Sequence, residues 1–226
     1  MRKKHSFVKD FTTLSMLFIP IGVAVNFVGA QLTTLLKLPI FLDCIGTLLT
    51  AMLAGPWIGA ITGVLTNIVN SVTNPAGLWF SVVNAAIGLT AGFLSRANMW
   101  RGKRGVFSCL LVSLLSVVTI VPILFFVFGG LTAHSNSIFI AMAVSFGMSM
   151  FHANLFVQFI TQFIDKPLSV IITRLIICVI PPRTLITFSL GKFFIRKPKS
   201  VTNLTAEDVP DAFEAYLRNS ASTSAE

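Results

Sequence analysis

Two carboxylates stand alone in the apolar part of this chain. Between Phe11 and Ala206 the only acidic residues are Asp43 and Asp165. A carboxylate placed in a bilayer costs about 3 kcal/mol or more, so such a group is paired, faces a cavity or takes part in function. After Asp43 come the candidate residues Asn67, Asn70, Trp79 and Asn84. Three amides, a carboxylate and an indole suit a small polar aromatic ligand, because binding sites combine an apolar wall with a few placed polar groups. Each also has a plainer role. The amides can join helices within a membrane, and Asp43 can pair with Lys37 or Lys166. Further along, Ser145, Ser149 and His152 share one helical face, while Asn154, Gln158, Thr161 and Asp165 share another. Of these, His152, Asn154 and Gln158 join the candidate substrate-binding residues.

Catalytic and metal chemistry find little support. There is no phosphate-binding Gly-rich loop, no HExxH, no GxSxG and no carboxylate pair at metal spacing. Without a nucleotide-binding motif the chain cannot hydrolyse ATP by itself. Cys44, Cys109 and Cys178 lie singly in apolar runs and read as core residues. His134 and His152 read as hydrogen-bonding groups. No catalytic residue, metal or cofactor is expected.

The elements that must hold these residues are helices in a membrane. Of 226 residues 54% are hydrophobic and 11% charged, against about 25% charged in a soluble domain. Phe outnumbers Tyr by 21 to 1, which suits surface facing lipid. The net charge of +9 fits basic cytoplasmic loops better than nucleic acid, which is not expected as a partner. The expected fold is all-α, a bundle of about six transmembrane helices with a pocket at the outer face. Residues 1–10 read as a basic cytoplasmic segment, 11–198 as the membrane domain and 199–226 as a polar, acidic cytoplasmic tail.

Periodicity predicts helices over 11–34, 40–54, 57–72, 79–95 and 106–129. In the first, Gly22, Asn26 and Ala30 recur at every fourth position. That stripe can pack against another subunit or against the same chain. The third carries Gly59, Thr62, Gly63, Thr66, Asn67 and Asn70 on one side, and the fourth answers with Ser81, Asn84, Ala85, Gly88, Ala91, Gly92 and Ser95. These two stripes should face each other or a shared cavity. Basic residues at 96–104 and in 191–199 place both segments in the cytoplasm, with the amino terminus and the 55–57 turn. An even number of crossings must then lie between them. The spacing predicts an outer-leaflet or re-entrant segment at 138–160 and a sixth helix at 162–181.

Three runs resemble one family. LPIFLDCIGTLLTAMLAGPWIGAITGVLTN (38–67), NPAGLWFSVVNAAIGLTAGFLSR (74–96) and FIDKPLSVII (163–172) resemble the substrate-binding S components of energy-coupling factor (ECF) vitamin transporters. The likeness is to the branch linked to pyridoxine or hydroxymethylpyrimidine-type substrates. It implies a multi-pass cell-membrane protein that captures a small water-soluble vitamin or precursor near the outer face. It also implies docking on a transmembrane coupling subunit driven by two ATPases, through small residues of the first helix. Here Gly22, Ala24, Asn26 and Ala30 hold those places. Two other classes stay open: a solitary ion-coupled carrier with Asp43 as its proton or sodium site, and an intramembrane enzyme using Asp43, His152 and Asp165.

Overall fold

The computed structural model describes residues 11–132 and 136–195. Among these the chain is helical: α1 (Thr13–Leu35), α2 (Ile45–Ala54), α3 (Pro56–Asn70), a 3-10 turn (Pro75–Phe80), α4 (Ser81–Arg96), α5 (Gly102–Phe128), α6 (Ser137–Ser145), α7 (Met150–Val179) and α8 (Pro182–Thr187). These elements belong to one compact unit that ends at Phe194. Residues 1–10, His134 and the tail from 199 lie outside the described residues.

Polarity is inverted relative to a soluble protein. Large apolar side chains such as Leu17, Val118 and Ile171 are exposed, while Thr47, Thr50, Thr62, Thr66 and Ser116 are fully buried. Three stretches, Thr13–Leu35, Pro75–Arg96 and Gly102–Phe128, are long and apolar enough to cross a membrane. α7 has the length, at 30 residues, but carries Asp165, Lys166 and Arg174.

The small-residue stripes of α3 and α4 face each other. A Cβ on Gly88 would run into the backbone of Gly59, and one on Gly63 would meet the Asn84 carbonyl. The α1 stripe is used in the same way. A Cβ on Gly46 of α2 would collide with the carbonyl of Gly22, so α1 and α2 touch backbone to backbone there. Gly22 and Asn26 are therefore buried within the bundle. Of the four expected docking residues Ala24 is exposed, and Ala30 turns toward a cavity.

α2 has only 10 residues, about 15 Å at 1.5 Å per residue, roughly half a hydrocarbon core. The chain reaches it through a non-helical stretch at 36–44, whose amides need partners because lipid supplies none. The first turn of α2 has the same need, and Asn26 meets it: its Oδ1 accepts from the N–H groups of Gly46 and Thr47 at 2.6 and 3.4 Å. These are orphan donors of the first α2 turn, so α1 caps α2 in trans. The Asn26 amide also donates to the Thr47 and Thr66 hydroxyls at 2.8 and 2.9 Å. Asn26→Ala is accordingly expected to cost about 1–3 kcal/mol, read as a lowered thermal midpoint of the purified protein. An unchanged midpoint would contradict this role.

The segment after α5 differs from the expected one. A single helix runs from Met150 to Val179, and only α6 remains as a short separate piece. The sequence FIDKP looks like a break in an apolar run, yet the helix continues through Pro167. Its two charges neutralise each other and need no water. The parity argument fits this arrangement, because α5 and α7 are the two long helices between the basic segments. The described residues 96–104 and 189–194 lie at one end of the bundle. Leu190 N–H donates to the Leu53 carbonyl at 3.0 Å, the Ser189 hydroxyl to Ala54 at 3.1 Å, and the Ser95 hydroxyl to Met52 at 2.7 Å. Trp100, 2% exposed, closes this end with its indole N–H on the Ala91 carbonyl. The exposed Arg174 reaches the same end beside Gly105.

Candidate substrate-binding site

At the opposite end the helices part around a cavity of about 130 Å³. An apolar cavity of roughly 150 Å³ holds a benzene ring, so this space matches one small ring compound. The 36–44 stretch, the end of α1, the end of α3 and the 3-10 turn after it, the start of α4, the last third of α5 and the middle of α7 all contribute. Apolar wall comes from Phe41, Phe80, Val83, Ile120 and Leu124. Phe80 is backed by Phe128, ring on ring at 5.8 Å.

One side of the cavity holds buried charge. Lys166, 2% exposed, points its ammonium at Asp165 Oδ2, 2.6 Å away. Asp165 is fully buried, and its other oxygen accepts from the Phe41 and Leu42 N–H groups at 3.1 and 2.9 Å. Leu42 has a φ of 47°, a left-handed conformation that a branched side chain rarely adopts. The carboxylate thus stabilises a strained bend in the 36–44 stretch and so places Asp43 next along the chain. Asp43 Oδ2 accepts from the Asn84 amide at 3.3 Å. Donor atoms of Asp43, Cys44 and Asp165 lie within 4.8 Å of one another, a spacing a metal ion could use. The Lys166 ammonium already sits among them, 3.5 Å from the Cys44 sulfur, and supplies the positive charge.

The other side is lined with amides. α7 presents Gln158, Gln162 and Lys166 to the cavity, one helical turn apart. Both glutamines are 1% exposed. Among the described residues, Oε1 of each has no hydrogen-bond partner, and neither has Asn70 Oδ1 or Asn136 Nδ2, also at the cavity. Buried polar atoms in native proteins are nearly always paired. Four unpaired amide atoms around one ring-sized space are groups poised for a polar ligand.

Five of the expected residues come together here: Asp43, Asn67, Asn70, Asn84 and Gln158. Asn67 also has a structural task, its amide donating to the Gly63 and Phe80 carbonyls at 3.3 and 3.2 Å. Three expected residues lie elsewhere. Trp79 is 56% exposed because the segment before α4 is a 3-10 turn, whose three residues per turn rotate Phe80 inward instead. His152 is exposed and bonds the Ser149 side chain at 2.6 Å. Asn154 is buried beyond the cavity, beside Gly130, with its amide on the Met150 carbonyl of its own helix. Gln162 and Asn136 were not expected, and Lys166 was expected only as a partner for Asp43.

A family model described as "ECF transporter, substrate-specific component" matches residues 14–177. Searches of curated proteins and of solved structures find no match. The matched residues run from the first turn of α1 to the end of α7, taking in every wall of the cavity. This multi-pass, all-helical chain therefore belongs to the substrate-specific components of ECF transporters, membrane subunits that bind a small molecule and associate with a coupling module rather than enzymes.

Proposed function

We propose that the chain captures a small water-soluble vitamin or vitamin precursor, with a vitamin B6 or hydroxymethylpyrimidine-like ring favoured. A transmembrane coupling subunit and two ATPases would then drive its delivery across the cell membrane. The observation that carries this reading is the ring-sized cavity with Asp43 and the unpaired amides of Asn70, Gln158 and Gln162 around it. Aromatic faces at Phe41 and Phe80 suit a flat ring, and the polar atoms suit its substituents. Arg96, Arg101, Lys103, Arg104 and Lys192 lie at the opposite end of the bundle, which supports placing that end in the cytoplasm and the cavity outside. With Gly22 and Asn26 taken up inside the bundle, the exposed side of α1 around Ala24 is the proposed docking surface for the coupling subunit.

Expression in a host that lacks coupling subunits tests the energy source. Binding of a labelled ring compound by the cells is expected without accumulation above the external concentration. Accumulation driven by a proton or sodium gradient would contradict the reading and favour a solitary carrier working through Asp43.

A further inference from the structure

α7 carries two amides whose carbonyl oxygens the fold leaves unused. Gln158 and Gln162 line the cavity one helical turn apart, each 1% exposed, and Oε1 of each lacks a hydrogen-bond partner among the described residues. Several other buried polar groups of the bundle are spent on the fold. Asn26 bonds α2 and α3, the Asn67 amide holds the Gly63 and Phe80 carbonyls, and the Ser95 hydroxyl holds Met52. The two glutamine oxygens are not satisfied by each other's amides either, although residues four apart on a helix can meet. Lys166, one turn further on, is held by Asp165. An unpaired buried acceptor destabilises a fold. Two on one helix face beside a cavity mark a place where a ligand supplies the donors.

We propose that Gln158 and Gln162 set the specificity of this cavity, each accepting a hydrogen bond from an uncharged N–H or O–H group of the substrate. The substrate is then a small ring with at least two such donors, as amino or hydroxymethyl substituents supply. The inference rests on the reading that this cavity is the substrate site, and it adds which residues read the substrate and through which groups. One turn of α7 rises about 5.4 Å, so two substituents of a single ring can reach both amides. A ring whose polar atoms only accept would leave both oxygens unpaired. A site built to bond a substrate donor rejects the analogue that lacks it.

Calorimetry on the purified full chain in detergent tests this with rings that are uncharged at neutral pH. The probes are aminopyrimidines bearing a hydroxymethyl group beside or across from the amino group. Their counterparts have methyl in place of amino, or fluorine in place of the hydroxyl. Loss of one donor is expected to weaken binding to the parent about tenfold. Gln158→Met and Gln162→Met should each weaken the donor-bearing ring about tenfold and shrink its preference over one of the counterparts to about threefold or less. Their thermal midpoints without ligand should equal or exceed the parent's, because an unsatisfied buried acceptor gives way to an apolar group of similar shape. Lowered midpoints with the preference intact would mark a structural role and overturn the proposal. So would donor-free rings bound as tightly as donor-bearing ones, or failure of the donor-bearing rings to bind. Asn70→Ala separates this failure from that of the underlying reading. If it weakens whichever ring binds, the cavity is the site and only the glutamine assignment falls; if it changes nothing, both fall.

Discussion

Asp165→Ala is expected to destabilise the protein by about 3–5 kcal/mol, the usual effect of removing one partner from a buried ion pair. The Lys166 ammonium, 2% exposed, would lose the carboxylate 2.6 Å away. The Phe41 and Leu42 N–H groups would lose their acceptor at the same time, and the left-handed bend at Leu42 would lose its anchor. A large drop in thermal midpoint, or loss of the folded protein in detergent, is the expected result. The interpretation is checked by Asp165→Asn combined with Lys166→Met, which removes the stranded charge and keeps an acceptor for the two amides. That double variant should recover most of the midpoint, since replacing both members of a buried pair is often close to neutral. A double variant as unstable as Asp165→Ala would mean the damage comes from something other than unpaired charge.

The second large effect concerns ligand affinity. Asp43→Asn and Asn70→Ala are each expected to weaken binding by about tenfold to a hundredfold, because leaving a buried polar partner unsatisfied costs about 1–3 kcal/mol. Asp43 keeps its Asn84 contact available to an amide, so Asp43→Asn changes charge more than packing. Asn70 Oδ1 makes no hydrogen bond among the described residues, so its removal takes little from the fold. Both variants should therefore insert and fold like the parent while their Kd values rise. His152→Ala should leave Kd unchanged, because His152 is exposed and engages Ser149 away from the cavity.

Much of this arrangement is legible in the residues. Gly59, Gly63, Gly88 and Gly92 recur at helical spacing, and a close contact between α3 and α4 is what such stripes do. Asp43, Asn67, Asn70 and Asn84 reach one cavity because the bundle alternates direction and brings the ends of successive helices together. What misleads is the division of the stretch after α5. The even-crossing argument and the run lengths place a sixth helix at 162–181 and set 138–160 apart, whereas one helix spans 150–179, with Asp165 and Lys166 satisfying each other inside it. With 150–179 taken as one helix, Gln158, Gln162 and Lys166 fall every fourth residue, and that period is the signal that would have found them. Phe80 replaces Trp79 at the cavity because a 3-10 turn changes the rotation per residue, which composition does not announce. Of the two roles open to Asn26, packing within the same chain is the one the bundle shows, where it turns inward as the cap of a half-length helix.

The central claim is that the cavity beside Asp43 is where this ECF component holds its substrate. Mass spectrometry of the small molecules that co-purify with the solubilised protein would identify the ligand. Calorimetry with that compound would then give Kd for the parent, Asp43→Asn, Asn70→Ala and His152→Ala. The account predicts one site per chain, Kd raised about tenfold to a hundredfold in the first two variants, and the parent value in His152→Ala. Parent-like binding in both Asp43→Asn and Asn70→Ala would contradict it and show that the substrate is held elsewhere.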